Sequence, residues 1–233
     1  MTSEITVHTV QVCHTCGGGA PVDAHFCPQC TKILLLGRQG DYFAFMGVPR
    51  RLVLDEAALD ERFRALSRQF HPDYFYNATQ SERRASLERS SYLNDAYRTL
   101  KQPISRMAYL LEIEGVWTAG DREGVGSKQA PTSLLEEVFA FNEGLDEVRE
   151  LRASGAAADE WRQRLTLARQ PIDEKRAAHE QQLHELFGRW DELADGGGTD
   201  GARRQVLQAL RERLLERNYI NNLLAGIEKE LAS

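Results

Sequence analysis

The stretch Phe70-His71-Pro72-Asp73-Tyr74-Phe75 separates two helical patterns and decides how the chain folds. Upstream, Leu59, Phe63, Leu66 and Phe70 recur at spacings of four, three and four, which places them on one apolar helix face. Asp55 stands where an N-cap belongs, and Glu56 puts a negative charge in the first turn. Pro72 disfavours helical geometry at His71, so the first helix stops there. Downstream, Thr79 and Glu82 have capping-box spacing, and a second helix is expected to about Gln102, carrying Leu93, Ala96, Tyr97 and Leu100. Two apolar-faced helices joined by a short rigid loop make an antiparallel hairpin with a presented tip.

The arrangement resembles the J-domain of DnaJ-like co-chaperones, whose hallmark is His-Pro-Asp between the second and third helices. The surroundings extend the resemblance. Asp41-Tyr42-Phe43 begins a short helix ending near Gly47, Asn94-Asp95-Ala96-Tyr97-Arg98-Thr99-Leu100 closes the third, and Pro103 opens a fourth ending near Gly115. More narrowly, the chain resembles the iron–sulfur-specific J-proteins of the HscB type. They share the aromatic pair Tyr74-Phe75, the Asn-Asp-Ala-Tyr block and Pro103-Ile104-Ser105-Arg106-Met107-Ala108-Tyr109-Leu110-Leu111.

Charge is distributed unevenly. The net charge is −6, yet residues 1–40 cancel and residues 41–115 carry eleven acids against eleven bases. The excess lies after Gly115, with 22 acids and 16 bases. A nucleic-acid binder concentrates positive charge in its binding domain, so this pattern argues against one. The longest aliphatic run, Ile33 to Leu36, is too short to span a bilayer. Met1 to Val12 has no Lys or Arg and no long apolar run, so it reads as neither signal nor transit peptide. A cytoplasmic protein is expected, or one of the mitochondrial matrix in the case of a mature eukaryotic form.

All four cysteines lie near the start: Cys13-x-x-Cys16, ten residues, then Cys27-x-x-Cys30. Two such knuckles turn their thiolates toward one tetrahedral point, which suits a zinc ion and would equally suit iron in a rubredoxin-like site. Gly17, Gly18 and Gly19 are expected to supply unusual backbone angles. A segment this small has no sufficient core and needs a staple. Two disulfides are the rival reading, disfavoured without an export signal. His14 and His25 flank a complete ligand set and read as outer-sphere or surface residues. A zinc-ribbon nucleic-acid-binding protein is the alternative function, opposed by only two basic residues and one aromatic, Phe26, in residues 1–38. Some HscB-like proteins, notably eukaryotic ones, carry a similar four-cysteine extension.

Arg62, Arg64 and Arg68 line the helix before the loop, beside or opposite its apolar stripe. The residues alone are compatible with a solvated face. The resemblance implies that they steer toward an acidic surface of a DnaK/HscA-type ATPase. It also implies that Asp73 makes the decisive polar contact, Pro72 fixes the turn and His71 orients the loop. His71 has no nucleophile or metal group near it in sequence, so the chain is not expected to be an enzyme itself; the resemblance implies that it stimulates ATP hydrolysis by its chaperone partner.

Residues 116–130 read as a linker. Pro131, Thr132 and Ser133 are expected to cap a helix whose Leu134, Val138, Phe141, Leu145 and Val148 form a core seam. That leaves Leu135 and Phe139 on an adjacent stripe continued by Glu143 and Glu147. A second helix is expected over 159–193, kinked or broken at Pro171. After Gly196-Gly197-Gly198 a third carries Leu207, Leu210, Leu214, Ile220, Leu224, Ile227 and Leu231. Three helices with short loops make an antiparallel bundle. Ordinary packing in that bundle would account for Leu135, Phe139 and Tyr219. The resemblance instead implies that Leu135, Phe139, Glu143, Glu147 and Tyr219 bind an IscU-type iron–sulfur scaffold, although Ala140 stands where an acid is common. A general J-domain adaptor for another client is the rival role. The expected fold is all-α: a small zinc-knuckle or rubredoxin-like module (1–38), a J-domain helical hairpin (39–115), a linker (116–130) and a C-terminal three-helix bundle (131–233).

Overall fold

The computed structural model describes residues 10–37, 41–117 and 134–232. Apart from two three-residue strands, the regular elements among them are helical. The chain divides into two compact units, Met1–Arg106 and Met107–Ser233.

In the first unit, strands β1 (Val10–Val12) and β2 (Gly19–Pro21) pair antiparallel, with Gln11 opposite Ala20. Helix α1 (Tyr42–Met46) is capped by Asp41, whose carboxylate accepts from the Ala44 amide at 2.9 Å and from Arg50 Nε at 2.7 Å. It ends on Gly47 at φ 66, a left-handed position. Helix α2 (Glu56–Phe70) starts on Asp55, which accepts from the amides of Ala57 and Ala58. Helix α3 (Gln80–Lys101) begins with a full Thr79–Glu82 capping box. Leu59, Leu66, Phe70, Leu93, Ala96 and Leu100 are buried between them as the periodicity requires. The open end of the hairpin is tied by Tyr97, which stacks on Phe63 at 4.1 Å and donates to Asp60 at 2.7 Å while accepting from Lys101.

The cysteine module packs on this hairpin within the same unit. Arg89 of α3 is buried, and its guanidinium donates to the Leu34 carbonyl at 2.8 Å, the Leu35 carbonyl at 3.2 Å and His25 Nδ1 at 2.8 Å. His25 meets Phe45 and Phe70 edge-on, each at 4.9 Å. It is therefore neither an outer-sphere metal group nor a surface residue but part of the junction with α3. Lys32 adds an ion pair to Glu82 at 2.9 Å. That pair, together with the Thr79 hydroxyl and amide, holds Glu82 down at about 2.

Helix α4 (Pro103–Ile113) straddles the division between the units. Its first turn is held by buried Arg106, which donates to the carbonyls of Leu52 and Leu100. Met107, Leu110 and Leu111 are fully buried. Trp117, expected at the head of a linker, is buried as well, and its amide bonds the Leu111 carbonyl at 3.0 Å. The rest of that linker and the expected Pro131-Thr132-Ser133 cap lie outside the described residues.

In the second unit, α5 (Leu135–Ala153), α6 (Ala158–Glu192) and α7 (Asp200–Ala232) form the expected bundle. Leu134 occupies the N-cap position of α5 and makes no side-chain cap. Leu134, Phe141 and Val148 pack with Leu165, Ala168, Ile172, Ile220, Leu224 and Ile227. Glu137–Lys175 at 3.0 Å and the Glu147–Arg164 pair fix α5 antiparallel to α6, and a Cβ on Gly144 would lie 2.6 Å from that of Ala168. Beyond the reach of α5, α6 and α7 continue as a hairpin burying Leu183, Phe187, Trp190, Leu207, Leu210 and Leu214. Buried His179 donates from Nε2 to the Arg213 carbonyl at 2.8 Å there, and Glu216 pairs with Arg213. No helix among the described residues is long and apolar enough to cross a membrane.

Pro171 does not break α6, which runs through it uninterrupted. The carbonyl that loses its helical donor belongs to Leu167, an exposed residue, while Ala168 and Ile172 are anchored in the core. Pro171→Ala should therefore stabilise the bundle by about 1–3 kcal/mol in urea melts, the helix gain exceeding the lost stiffening of the unfolded chain.

Burial, then the nearby charges of Arg89 and Arg62, push the His25 imidazole down to about 4. The unfolded chain takes up that proton near pH 6.5 and the folded chain only near 4. The junction is thus at full strength above pH 6.5 and weakens as pH falls toward 4. A titration of the His25 ring protons by NMR should show a midpoint near 4; a midpoint near 6.5 would mean the ring is not docked.

Candidate functional site

Three candidate sites emerge, two in the first unit and one in the second. The cysteine site is built from two equivalent turns. Gly17 N–H bonds the Cys13 carbonyl and Cys13 N–H the Gly18 carbonyl; fourteen residues on, Thr31 N–H bonds Cys27 and Cys27 N–H bonds Lys32. Gly17 (φ 73) and Thr31 (φ 59) hold the left-handed corners. Gly18 and Gly19 do not share that conformation, contrary to expectation, and Gly19 begins β2.

The four sulfurs lie within 4.8 Å of one another, with Cys13–Cys30 and Cys16–Cys27 at 3.7 Å. A zinc–thiolate tetrahedron with bonds of about 2.3 Å has edges of about 3.8 Å, so the cage fits one such ion, and 3.7 Å is far beyond a disulfide bond. Amides aimed at sulfur favour the thiolate. Those of Cys16 and Thr15 bring Cys13 down to about 6, and those of Cys30 and Gln29 lower Cys27. At Cys30 the Lys32 amide pulls the same way, but burial and bonds to the neighbouring thiols push it up to about 12. A tetrathiolate concentrates more negative charge than the free cage sustains, and a cation supplies the missing balance. Zinc and iron both meet the requirement. His14 is exposed and takes no part.

The loop site is held at its root. The last carbonyl of α2, on Phe70, accepts from Ser86 Oγ at 2.7 Å and Ser90 Oγ at 2.9 Å, both on α3. His71 then caps a single 3₁₀ turn, Pro72–Phe75, its Nδ1 accepting from the Asp73 amide at 3.3 Å. With that nitrogen used as an acceptor, the Asp73 carboxylate 3.5 Å away is left to solvent, its side chain 85% exposed. Tyr74 and Tyr76 stand exposed beside it.

The expected arginines divide. Arg62 Nε donates to the Met46 carbonyl at 2.9 Å, closing the end of α1, and Arg64 Nε donates to the backbone carbonyl of Asp60 in its own helix at 3.2 Å. Arg68 is exposed, one turn from the loop. Sequence reasoning missed Ser86 and Ser90, which carry no local pattern because their partner is sixteen and twenty residues away.

On the bundle, Leu135, Phe139 and Glu143 share an exposed stripe of α5, Phe139 at 71%. Glu147, one turn on, pairs with Arg164 of α6, which lowers its pKa. Tyr219 of α7 is half-buried and packs on the core. Among the described residues no hydrogen bond or ring contact joins it to Leu135 or Phe139. The structure thus gathers three of the five expected residues on one free face and leaves two in internal contacts.

No protein-family model matches the chain. A co-chaperone protein HscB homolog of Cupriavidus taiwanensis is 34% identical over 174 residues, covering 74% of this chain and 90% of the relative. The crystal structure of human co-chaperone protein HscB is similar with a TM-score of 0.64 at 25% identity, over 94% of this chain and 98% of that one. Chaperone HscB from Vibrio cholerae follows at a TM-score of 0.52 and 26% identity, over 82% and 96%. Agreement in sequence across nine-tenths of the bacterial relative, and in fold across almost the whole human structure, is what common descent leaves, and the chain belongs to the HscB co-chaperone family.

Proposed function

We propose that this chain acts in iron–sulfur cluster biogenesis, delivering an IscU-type scaffold protein to a DnaK/HscA-type chaperone and stimulating that chaperone's ATPase, so that cluster transfer follows. The observation that carries the reading is the solvent-facing Asp73 carboxylate on a loop immobilised at its root. A binding group carried on a fixed backbone and almost wholly in solvent has little ordering entropy left to lose on association. Arg68 and Arg64 add positive potential beside it, which speeds encounter with an acidic surface. Arg62 contributes charge to the same field from a fixed position. The bundle would hold the scaffold through Phe139 and Leu135, flanked by Glu143. Glu147 would have to share or exchange its Arg164 partner, and Tyr219 would contribute only its exposed edge. The four cysteines would carry one zinc ion, or iron, as a structural staple.

Asp73→Asn keeps the size of an exposed side chain, so stability should stay within about 0.5 kcal/mol. Steady-state stimulation of the chaperone's ATPase should nevertheless drop to near its basal rate while scaffold binding persists. Full stimulation by this variant would remove the loop from the mechanism.

Phe139→Ala should leave the melting curve unchanged, because little of the ring is buried. Calorimetric titration with the scaffold should show a dissociation constant raised by about fivefold to a hundredfold, the loss of about 1–3 kcal/mol typical of an aromatic anchor. Unaltered affinity would move the scaffold site off this face.

A further inference from the structure

The second cysteine knuckle touches both ends of the His71-Pro72-Asp73 loop. At its start, Phe70 is fully buried with Phe26 stacked on it at 6.2 Å and His25 edge-on at 4.9 Å. At its end, Lys32 pairs at 2.9 Å with Glu82, the same carboxylate that accepts from the Thr79 amide in the α3 capping box. Phe26 and Lys32 are neighbours of the metal ligands. Phe26 bridges to Ile33, and the Lys32 carbonyl accepts from the Cys27 amide at 2.9 Å.

From this geometry we propose that the four-cysteine module is a brace for the loop: loading its metal fixes Phe26 and Lys32, and these position Asp73 for the chaperone. Phe26 and Lys32 are positioning residues, acting through Phe70 and Glu82. A module with two three-residue strands has little core of its own without a cation. When the cation leaves, Phe70 loses the cover on one side and Glu82 loses its counter-ion. Both loop anchors loosen together, although neither touches the metal. Coupling of this kind is reciprocal, so a chaperone that holds the loop in place must tighten metal binding by the same factor by which metal tightens the chaperone. The brace rests on the chaperone reading only for that second consequence; its effect on the loop stands by itself.

The test uses the full chain, zinc-loaded and then stripped with EDTA under reducing conditions, followed by hydrogen exchange. The amides of Asp73, Tyr74, Tyr76 and Ala78 are bonded within the loop and report its order. Metal removal should speed their exchange at least tenfold, leave α5–α7 unchanged and weaken binding to the chaperone several-fold. Lys32→Ala and Phe26→Ala, at unchanged zinc stoichiometry, should each reproduce part of the loop effect, and Lys32→Arg should restore it. Unchanged loop exchange in stripped protein, or in both alanine variants, would overturn the brace. So would uniform loss of protection across α1–α3, since the module would then be a general determinant of the fold. Asp73→Asn keeps the two readings apart: if it fails to impair the chaperone while the loop still responds to metal, the brace stands and the partner is wrong.

Discussion

Much of the first unit depends on one buried cation. Arg89 lies within the protein, with no carboxylate partner among the described residues, and burial lowers it only to about 10, so it stays charged at neutral pH. Such a group is tolerated only when its donors are all used, since an uncompensated buried charge costs several kcal/mol. The guanidinium's fork meets the Leu34 and Leu35 carbonyls and the His25 ring, with its faces about 6 Å from Phe45 and Phe70. A lysine could not span those partners, because a compact ammonium lacks the planar spread of donors. The need to satisfy one side chain thus fixes the path of the chain after the second knuckle, keeps His25 neutral, and closes the aromatic cluster at the end of α2. Arg106 repeats the device at the start of α4, where carbonyls of Leu52 and Leu100 receive it.

The same accounting separates residues available to a partner from those already engaged. Asp73 keeps its carboxylate in water because His71 spends its acceptor nitrogen on the Asp73 backbone. Arg62, more than two helical turns before the loop, has placed its Nε on Met46. Glu147 is paired, while Glu143, one turn earlier on α5, is exposed. Residue type and periodicity make these groups look alike. Only their internal partners reveal which must break a contact before making a new one.

What could be read from the sequence was local. The Asp55 cap, the Thr79–Glu82 box, the seam through Phe141 and Val148, and the two knuckles all involve residues within a few positions of one another, where spacing alone sets geometry. What escaped reading spans larger separations. Arg89 finds Leu34 at a separation of 55 residues, Arg106 finds Leu52 at 54, and Glu147 finds Arg164 at 17. The fourteen-residue repeat of the knuckles was hidden by Thr31, a β-branched residue in the left-handed region where Gly17 stands in the first copy. Pro171 does not break α6, because the helix is anchored in the core on either side of it by Ala168 and Ile172.

A residue that binds nothing sets the direction in which the exposed stripe of α5 points. Gly144 lies in the seam between Phe141 and Val148, and a Cβ there would lie 2.6 Å from the Cβ of Ala168. The two helices approach so closely that a side chain at Gly144 would meet the Ala168 methyl and force them apart. Successive helix residues differ by about 100° around the axis, so fixing Gly144 against α6 also fixes where Glu143 points. Phe139 and Leu135, one and two turns back, follow it out of the core. Leucines 134 and 135 have the same chemistry, yet one is 1% exposed and the other 40%. The interface proposed for the scaffold is thus specified less by its own residues than by a missing methyl group one position away.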